Sequence, residues 1–205
     1  MYRYNACKPG NTPQIVDMAL NGNGIRDTSR ILHVSPNTVI ATLKQQEPFL
    51  THVNPHLLAE SIANETAYAV DIRCEMDEQW SYVLKKKVQR WLRHAVDRAT
   101  NQVLAYVIGP RTDAMCKELY DLLKPFRITH YFTDGWAAYK KYLPAHKHTV
   151  TKRETQRIER KHLTFRTRIK RLARKTICFS KSIQMHDIVL GLFINRFEFG
   201  LEGQI

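Results

Sequence analysis

The sequence predicts an α/β protein in two parts, a small all-α segment followed by a larger domain built on a mixed sheet. Three observations carry that prediction. Residues 12–45 place apolar side chains at helical spacing, interrupted by Asn21–Gly22–Asn23–Gly24 and by Ser35–Pro36. From residue 67 the pattern changes to β-rich runs separated by turn residues, with one amphipathic helix before the fourth run. With 205 residues, 43% of them hydrophobic, the chain can bury the core of one medium domain and still carry a small second one.

In the first segment, Thr12 is a candidate cap with Pro13 in the first turn, and Ile15, Val16, Ala19 and Leu20 share a helical face. A second helix near Arg26–Leu32 presents Ile31 and Leu32. Ser35 caps a third, with Pro36 in its first turn and Val39, Ile40 and Leu43 inward. The string Val34–Ser35–Pro36–Asn37–Thr38–Val39, with small Thr28 and Ser29 before it, resembles a helix-turn-helix. Its tight turn often holds glycine where this chain has His33, a residue that tolerates positive φ better than most. In that reading Asn37, Thr38 and Thr42 face a DNA groove and Lys44 lies near phosphate. The expected boundaries are 1–46 for this domain and 47–66 for a linker containing a short helix.

The sheet domain is expected over 67–197, with a tail at 198–205 that frays. A first strand runs through Trp80 to Leu84, Lys85–Lys86–Lys87 forms a charged turn, and Arg90–Asp97 is a second strand. After a turn at Arg98–Asn101, Gln102–Ile108 is a third, rich in Val and Tyr. Thr112 begins a helix that Pro125 stops. Ile128–Thr133 is a fourth strand, and a short one lies near His148–Thr151. Three antiparallel strands, a helix and a strand ending in Asp are the order of a ribonuclease-H-like fold. A long basic helix is then expected over Glu154–Arg174, with Ile158, Phe165, Ile169 and Leu172 as its buried stripe. Ser182 caps a last helix, about Ile183–Phe197.

The charge is strongly positive, +13, and unevenly placed. Lys152–Lys175 holds 11 Lys/Arg against two acids, Glu154 and Glu159. A polyanionic partner explains that concentration better than solubility does. Arg160, Lys161, Arg166, Arg168, Lys170 and Arg171 are the candidate phosphate contacts. Cys7, Cys74, Cys116 and Cys178 form no paired metal or redox motif. No apolar run approaches a membrane span of roughly 18 residues. These features predict a reduced protein of the cytoplasm, associated with the nucleoid and not with a membrane.

Within this frame Asp77, Asp134 and Glu159 are the candidate catalytic and metal-binding residues. Asp134 closes the fourth strand, Glu159 lies on the basic helix and Asp77 sits in the first strand. Such an oxygen donor set suits two Mg²⁺ or Mn²⁺ ions, which relieve charge on the attacking and leaving oxygens of phosphoryl transfer. Acids occupy 19 of 205 positions, so spacing alone is weak, and Glu75, Glu78 and Asp97 are rivals. Glu78, next to Asp77, points to the opposite face of a strand. Trp80 and Trp136 are placed either in the core or against an unpaired base.

The strings Glu75–Met76–Asp77–Glu78–Gln79–Trp80, Thr133–Asp134–Gly135–Trp136, Thr155–Gln156–Arg157–Ile158–Glu159–Arg160 and Phe179–Ser180–Lys181–Ser182, in this order, resemble those of insertion-sequence-one transposases. The resemblance runs from about Tyr4 to Phe197. It implies a metal-dependent DDE core with Asp77, Asp134 and Glu159 at the three carboxylate positions. It also implies that Arg166 touches DNA near the scissile phosphate, and that the helix-turn-helix reads terminal inverted repeats in duplex DNA. An active form would be a homo-oligomer that nicks element ends and joins them to target DNA. The family usually carries a cysteine-rich zinc ribbon ahead of the helix-turn-helix, and Cys7 alone cannot supply its ligands. A truncated, inactive DNA-binding derivative that represses transposition, or a stand-alone nuclease of the same fold, are the alternative readings.

Overall fold

The computed structural model describes residues 8–63, 71–151, 153, 155–173, 175 and 177–201. The expected start of the sheet domain at residue 67, and Cys7, Glu154 and Arg174, lie outside the described residues. The chain divides into two compact units, Met1–Leu50 with Arg166–Ile205, and Thr51–Phe165.

The helical unit opens with α1 (Asn11–Leu20), α2 (Ile25–Leu32) and α3 (Pro36–Gln45). Gly10 at φ 89° precedes α1, so Thr12 is not its cap. His33 takes the left-handed conformation, φ 52° and ψ 43°, at the tight turn after α2. The Ser35 side chain accepts a hydrogen bond from the Asn37 N–H at 3.2 Å, and Pro36 occupies the first turn of α3. Ile15, Val16, Val39 and Leu43 are buried, whereas Ile31 stays exposed. The last helix of the chain, α8 (Ile183–Phe197), packs on α1 and α3. It thus belongs to the helical unit rather than to the sheet domain in which it was expected. Its Ser182 cap accepts from the Met185 N–H. Residues 198–201 do not fray: Phe199 is buried and its N–H donates to the Ile194 carbonyl.

The sheet unit holds α4 (Pro55–Ala63), β1 (Arg73–Val83), β2 (Lys85–Asp97), β3 (Val103–Gly109), α5 (Asp113–Leu123), β4 (His130–Thr133), α6 (Ala137–Tyr142), β5 (His148–Val150) and most of α7 (Gln156–Arg168). The strand order is β3-β2-β1-β4-β5. β1, β2 and β3 are antiparallel neighbours, and β4 and β5 run parallel to β1. This is the ribonuclease-H-like arrangement that the strand order predicts. On one sheet face Met76, Ala95, Ala105 and Val107 meet Cys116, Leu119 and Leu123 of α5. The other face carries Glu75, Asp77 and Gln79, because alternate residues of a strand share a face, and α7 packs there.

Three expected boundaries move. Part of the supposed linker is sheet-domain structure. The Asn54 N–H donates to the Leu104 carbonyl at 2.8 Å, its side chain caps α4, and Val53 bridges Ala105. Polar and proline-containing sequence thus satisfies the outer edge of β3 instead of spanning solvent. Lys85–Lys87 belong to β2, because the reversal is confined to Leu84 at φ 63°. The basic helix ends at Arg168. Ile169 is extended (φ −98°, ψ 99°), and a short 3₁₀ turn covers Lys170–Leu172. A β-branched residue between like charges is a weak point for helix propagation. Among the described residues, no helix is long and apolar enough to cross a membrane.

Candidate active site

The register of the sheet brings the first two carboxylates together. β1 and β4 pair in parallel through Met76 and Thr133, so Asp77 and Asp134 leave neighbouring strands at the same level. The Asp77 Oδ1 accepts from the Glu78 N–H at 2.7 Å, and the Asp134 Oδ1 accepts from the Trp136 N–H at 2.9 Å. Both carboxyl groups are therefore held by the local backbone.

Glu159 comes from α7, which is clamped against β1 at two points. The Glu75 Oε2 accepts from the N–H groups of Arg157 and Ile158, both at 3.0 Å, capping the first turn of α7 with a buried carboxylate. Its Oε1 pairs with Arg98 at 3.1 Å. One turn further on, Gln79 donates to the His162 carbonyl at 3.4 Å. Between these clamps lies Asp77, with Glu159 in the facing turn and His162 Nδ1 at 3.8 Å from Asp77 Oδ2.

Burial pushes the Asp77 carboxyl up from 3.8 to about 7, and the negative charges of Glu78, Asp134 and Glu159 push in the same direction. Asp77 thus feels the other two predicted carboxylates across the sheet end. Behind Asp77, its cross-strand partner His94 is fully buried, 5.0 Å ring to ring from His162. Burial holds His94 well below the usual histidine range, so it stays neutral there.

The rival acids are committed elsewhere. Glu75 serves α7. Glu78, on the opposite sheet face as expected, pairs with Arg111 at 2.6 Å and accepts from the Tyr139 hydroxyl at 3.0 Å. Asp97 accepts from the Thr100 N–H and hydroxyl and closes the β2–β3 turn. Asp77, Asp134 and Glu159 offer hard carboxylate oxygens, and a divalent cation would relieve the charge that Asp134 and Glu159 place on Asp77, so the set suits Mg²⁺ or Mn²⁺ in chemistry. Among the described residues, no three His, Cys, Asp or Glu side chains close into a ready-made cage.

Of the candidate DNA contacts, Asn37, Lys44, Arg160, Arg168 and Lys170 are exposed, Thr38 and Arg166 half-buried. Three corrections apply. Thr42 is buried beside Leu43, and Ala41 takes its place on the outer face of α3, four residues from Asn37. Lys161 is buried because it lies on the side of α7 that meets the sheet. Arg171 is a structural cation: it donates to the Ser180 hydroxyl at 2.8 Å, and that hydroxyl lies 2.9 Å from His186 Nδ1. Trp136 packs against Tyr139 in the core, whereas Trp80 is 36% exposed.

Sequence reasoning names Glu75 only as a rival ligand and gives Gln79 and His162 no role, yet all three build the site. Their signal was in the sequence: two residues either side of Asp77 on a strand, and three after Glu159 on a helix. Without the knowledge that these two faces oppose each other, it carried no weight.

A family model described as IS1 transposase matches residues 70–200, and one described as InsA C-terminal domain matches residues 2–47. Protein InsB of insertion element iso-IS1n from Shigella dysenteriae is 54% identical over 126 residues, covering 62% of this chain and 96% of that protein. InsB of insertion element IS1 4 from Escherichia coli (strain K12) is 47% identical over 126 residues, covering 62% and 75%. The crystal structure of the catalytic core domain of BIV integrase aligns with 63% of this chain and 86% of its own, at a TM-score of 0.42 and 15% identity.

Proposed function

The chain belongs to the IS1 transposase family, and from that premise we propose that it nicks the ends of its element and joins the freed 3′-OH to target DNA. The observation that supports this reading is that Asp77 and Asp134 leave adjacent strands at one level, with Glu159 close enough to act on Asp77, while Glu75, Glu78 and Asp97 are bound elsewhere. Asp77, Asp134 and Glu159 would hold the divalent ions, which when bound supply charge relief at the attacking and leaving oxygens. The chain's own contribution is positioning. The Glu78 and Trp136 N–H groups orient the two aspartates, and the Glu75 and Gln79 clamps present Glu159. In the first step water attacks phosphorus and the 3′ oxygen leaves. In the second that 3′-OH attacks a target phosphate, with no covalent enzyme intermediate. One site serves both because each is an in-line displacement at phosphorus.

Exposed Arg160, and Arg166, Arg168 and Lys170 further along the chain, neutralise phosphates. Asn37, Ala41 and Lys44 form the outer face of α3, which reads the terminal repeats in the major groove. Two ends are processed together by a homo-oligomer on chromosomal DNA. The test is in-vitro strand transfer with Mg²⁺ or Mn²⁺ on duplexes carrying the element ends. Asp77→Asn, Asp134→Asn and Glu159→Gln each lower joining at least about a hundredfold while end binding persists. Normal joining by any of the three removes that residue from the catalytic set.

A further inference from the structure

Beyond the reacting centre, the β1–β2 hairpin leaves the sheet. β4 accompanies β1 only as far as Met76, and β3 accompanies β2 only as far as Trp91. Ser81–Arg90 is therefore a two-stranded ribbon, its tip roughly 20 Å beyond Asp77 at about 3.3 Å per residue. Isolated ribbons of this kind are marginal in water. This one is stiffened by Trp80, paired across the strands with Trp91 and with its ring tilted against that of Tyr82 at 5.5 Å, and by the Ser81 hydroxyl donating to the Arg90 carbonyl at 2.7 Å.

The tip is irregular in a way that displays side chains. Tyr82 faces Gln89 but Val83 faces Lys85, so Lys86, Lys87 and Val88 bulge from the ladder. Bulges of this kind re-aim side chains. Lys85, Lys86 and Lys87 are exposed, and among the described residues no side-chain hydrogen bond or ion pair engages them. From Gln79 to Val96 the chain carries three lysines and two arginines and no acid. Arg90 and Arg93 are turned to the Ile108 and Pro110 carbonyls, so the three lysines are the cations left to face outward.

We propose that this bulged ribbon is a second nucleic-acid contact, in which Lys85, Lys86 and Lys87 grip backbone phosphates of duplex DNA flanking the reacting phosphate. The assignment rests on the reading of the chain as a DNA strand-transfer enzyme. Because β1 carries both Asp77 and the ribbon, the grip is rigidly coupled to the site. The rival explanation is edge protection, lysines that keep an unpaired ribbon from pairing with other chains.

The experiment measures binding of the full chain to a duplex without element ends, across a salt series. Each phosphate contact contributes about 0.9 to the slope of log affinity against log salt. The triple variant Lys85→Gln, Lys86→Gln, Lys87→Gln is expected to lower that slope by roughly 2 to 3, and the matching triple Arg variant to keep it. An unchanged slope, with or without lost solubility, overturns the proposal while wild-type joining keeps the catalytic reading intact. A loss confined to single strands also overturns it. Failure of the wild-type chain to bind or join any DNA removes both.

Discussion

Replacing Asp77 with Asn should stabilise the metal-free protein at pH 8 and leave its stability at pH 4 nearly unchanged. Burial, then the charges of Glu78, Asp134 and Glu159, raise the Asp77 carboxyl from 3.8 to about 7. An acid with a raised folded-state value holds its proton in the native state while the unfolded chain releases it. Stability contributed at this position is therefore intact below about pH 4, falls through the window from 4 to 7, and is flat above it. At about 1.4 kcal/mol per pH unit the ceiling is about 4 kcal/mol. The side chain keeps 22% of its accessibility, and solvent screening brings the expectation to about 2 kcal/mol. Asn retains the oxygen that accepts from the Glu78 N–H, so little is lost on the other side. In a chain of this length that is a melting temperature higher by about 4–8 °C. Calorimetry in chelator at the two pH values measures it. An equal difference at both, or a less stable variant at pH 8, would refute the raised Asp77 carboxyl that burial, and after it the neighbouring acids, produce. Added Mg²⁺ should then raise the melting temperature of the wild type and not that of the variant.

Two other substitutions test the scaffold. Glu75→Ala should cost about 2 kcal/mol in urea unfolding by orphaning the Arg157 and Ile158 N–H groups, and should lower joining further than stability explains; Glu75→Gln, which keeps an acceptor, should recover most of both. Leu84→Gly should raise the urea midpoint by the equivalent of about 1 kcal/mol, since an exposed leucine at φ 63° gives up left-handed strain and little burial.

Much of the site was legible because it rests on local rules. The Ser35–Pro36 start of α3, the turn at His33 and the alternation that separates Asp77 from Glu78 are each settled within a few residues of chain. Thr42, Lys161 and Arg171 were misread because a side chain's direction on a helix depends on what packs against that helix. Lys85–Lys87 were misread because a bulge is a property of two strands together.

By itself the sequence determined the element order, the strand that ends in Asp134, the basic segment after Glu159 and the carboxylate trio as candidates. These follow from periodicity, capping and charge, which act over one or two turns. Only the tertiary structure decided that β1 and β4 pair in parallel through Met76 and Thr133, that Glu75 and Gln79 clamp α7, and that α8 returns to the helical unit. Those outcomes depend on groups far apart in the chain, 83 residues for each α7 clamp, finding one another in a water-excluded interior. There a buried carboxylate must find N–H donors or a cation, as Glu75 does at the start of α7 and Glu78 does at Arg111.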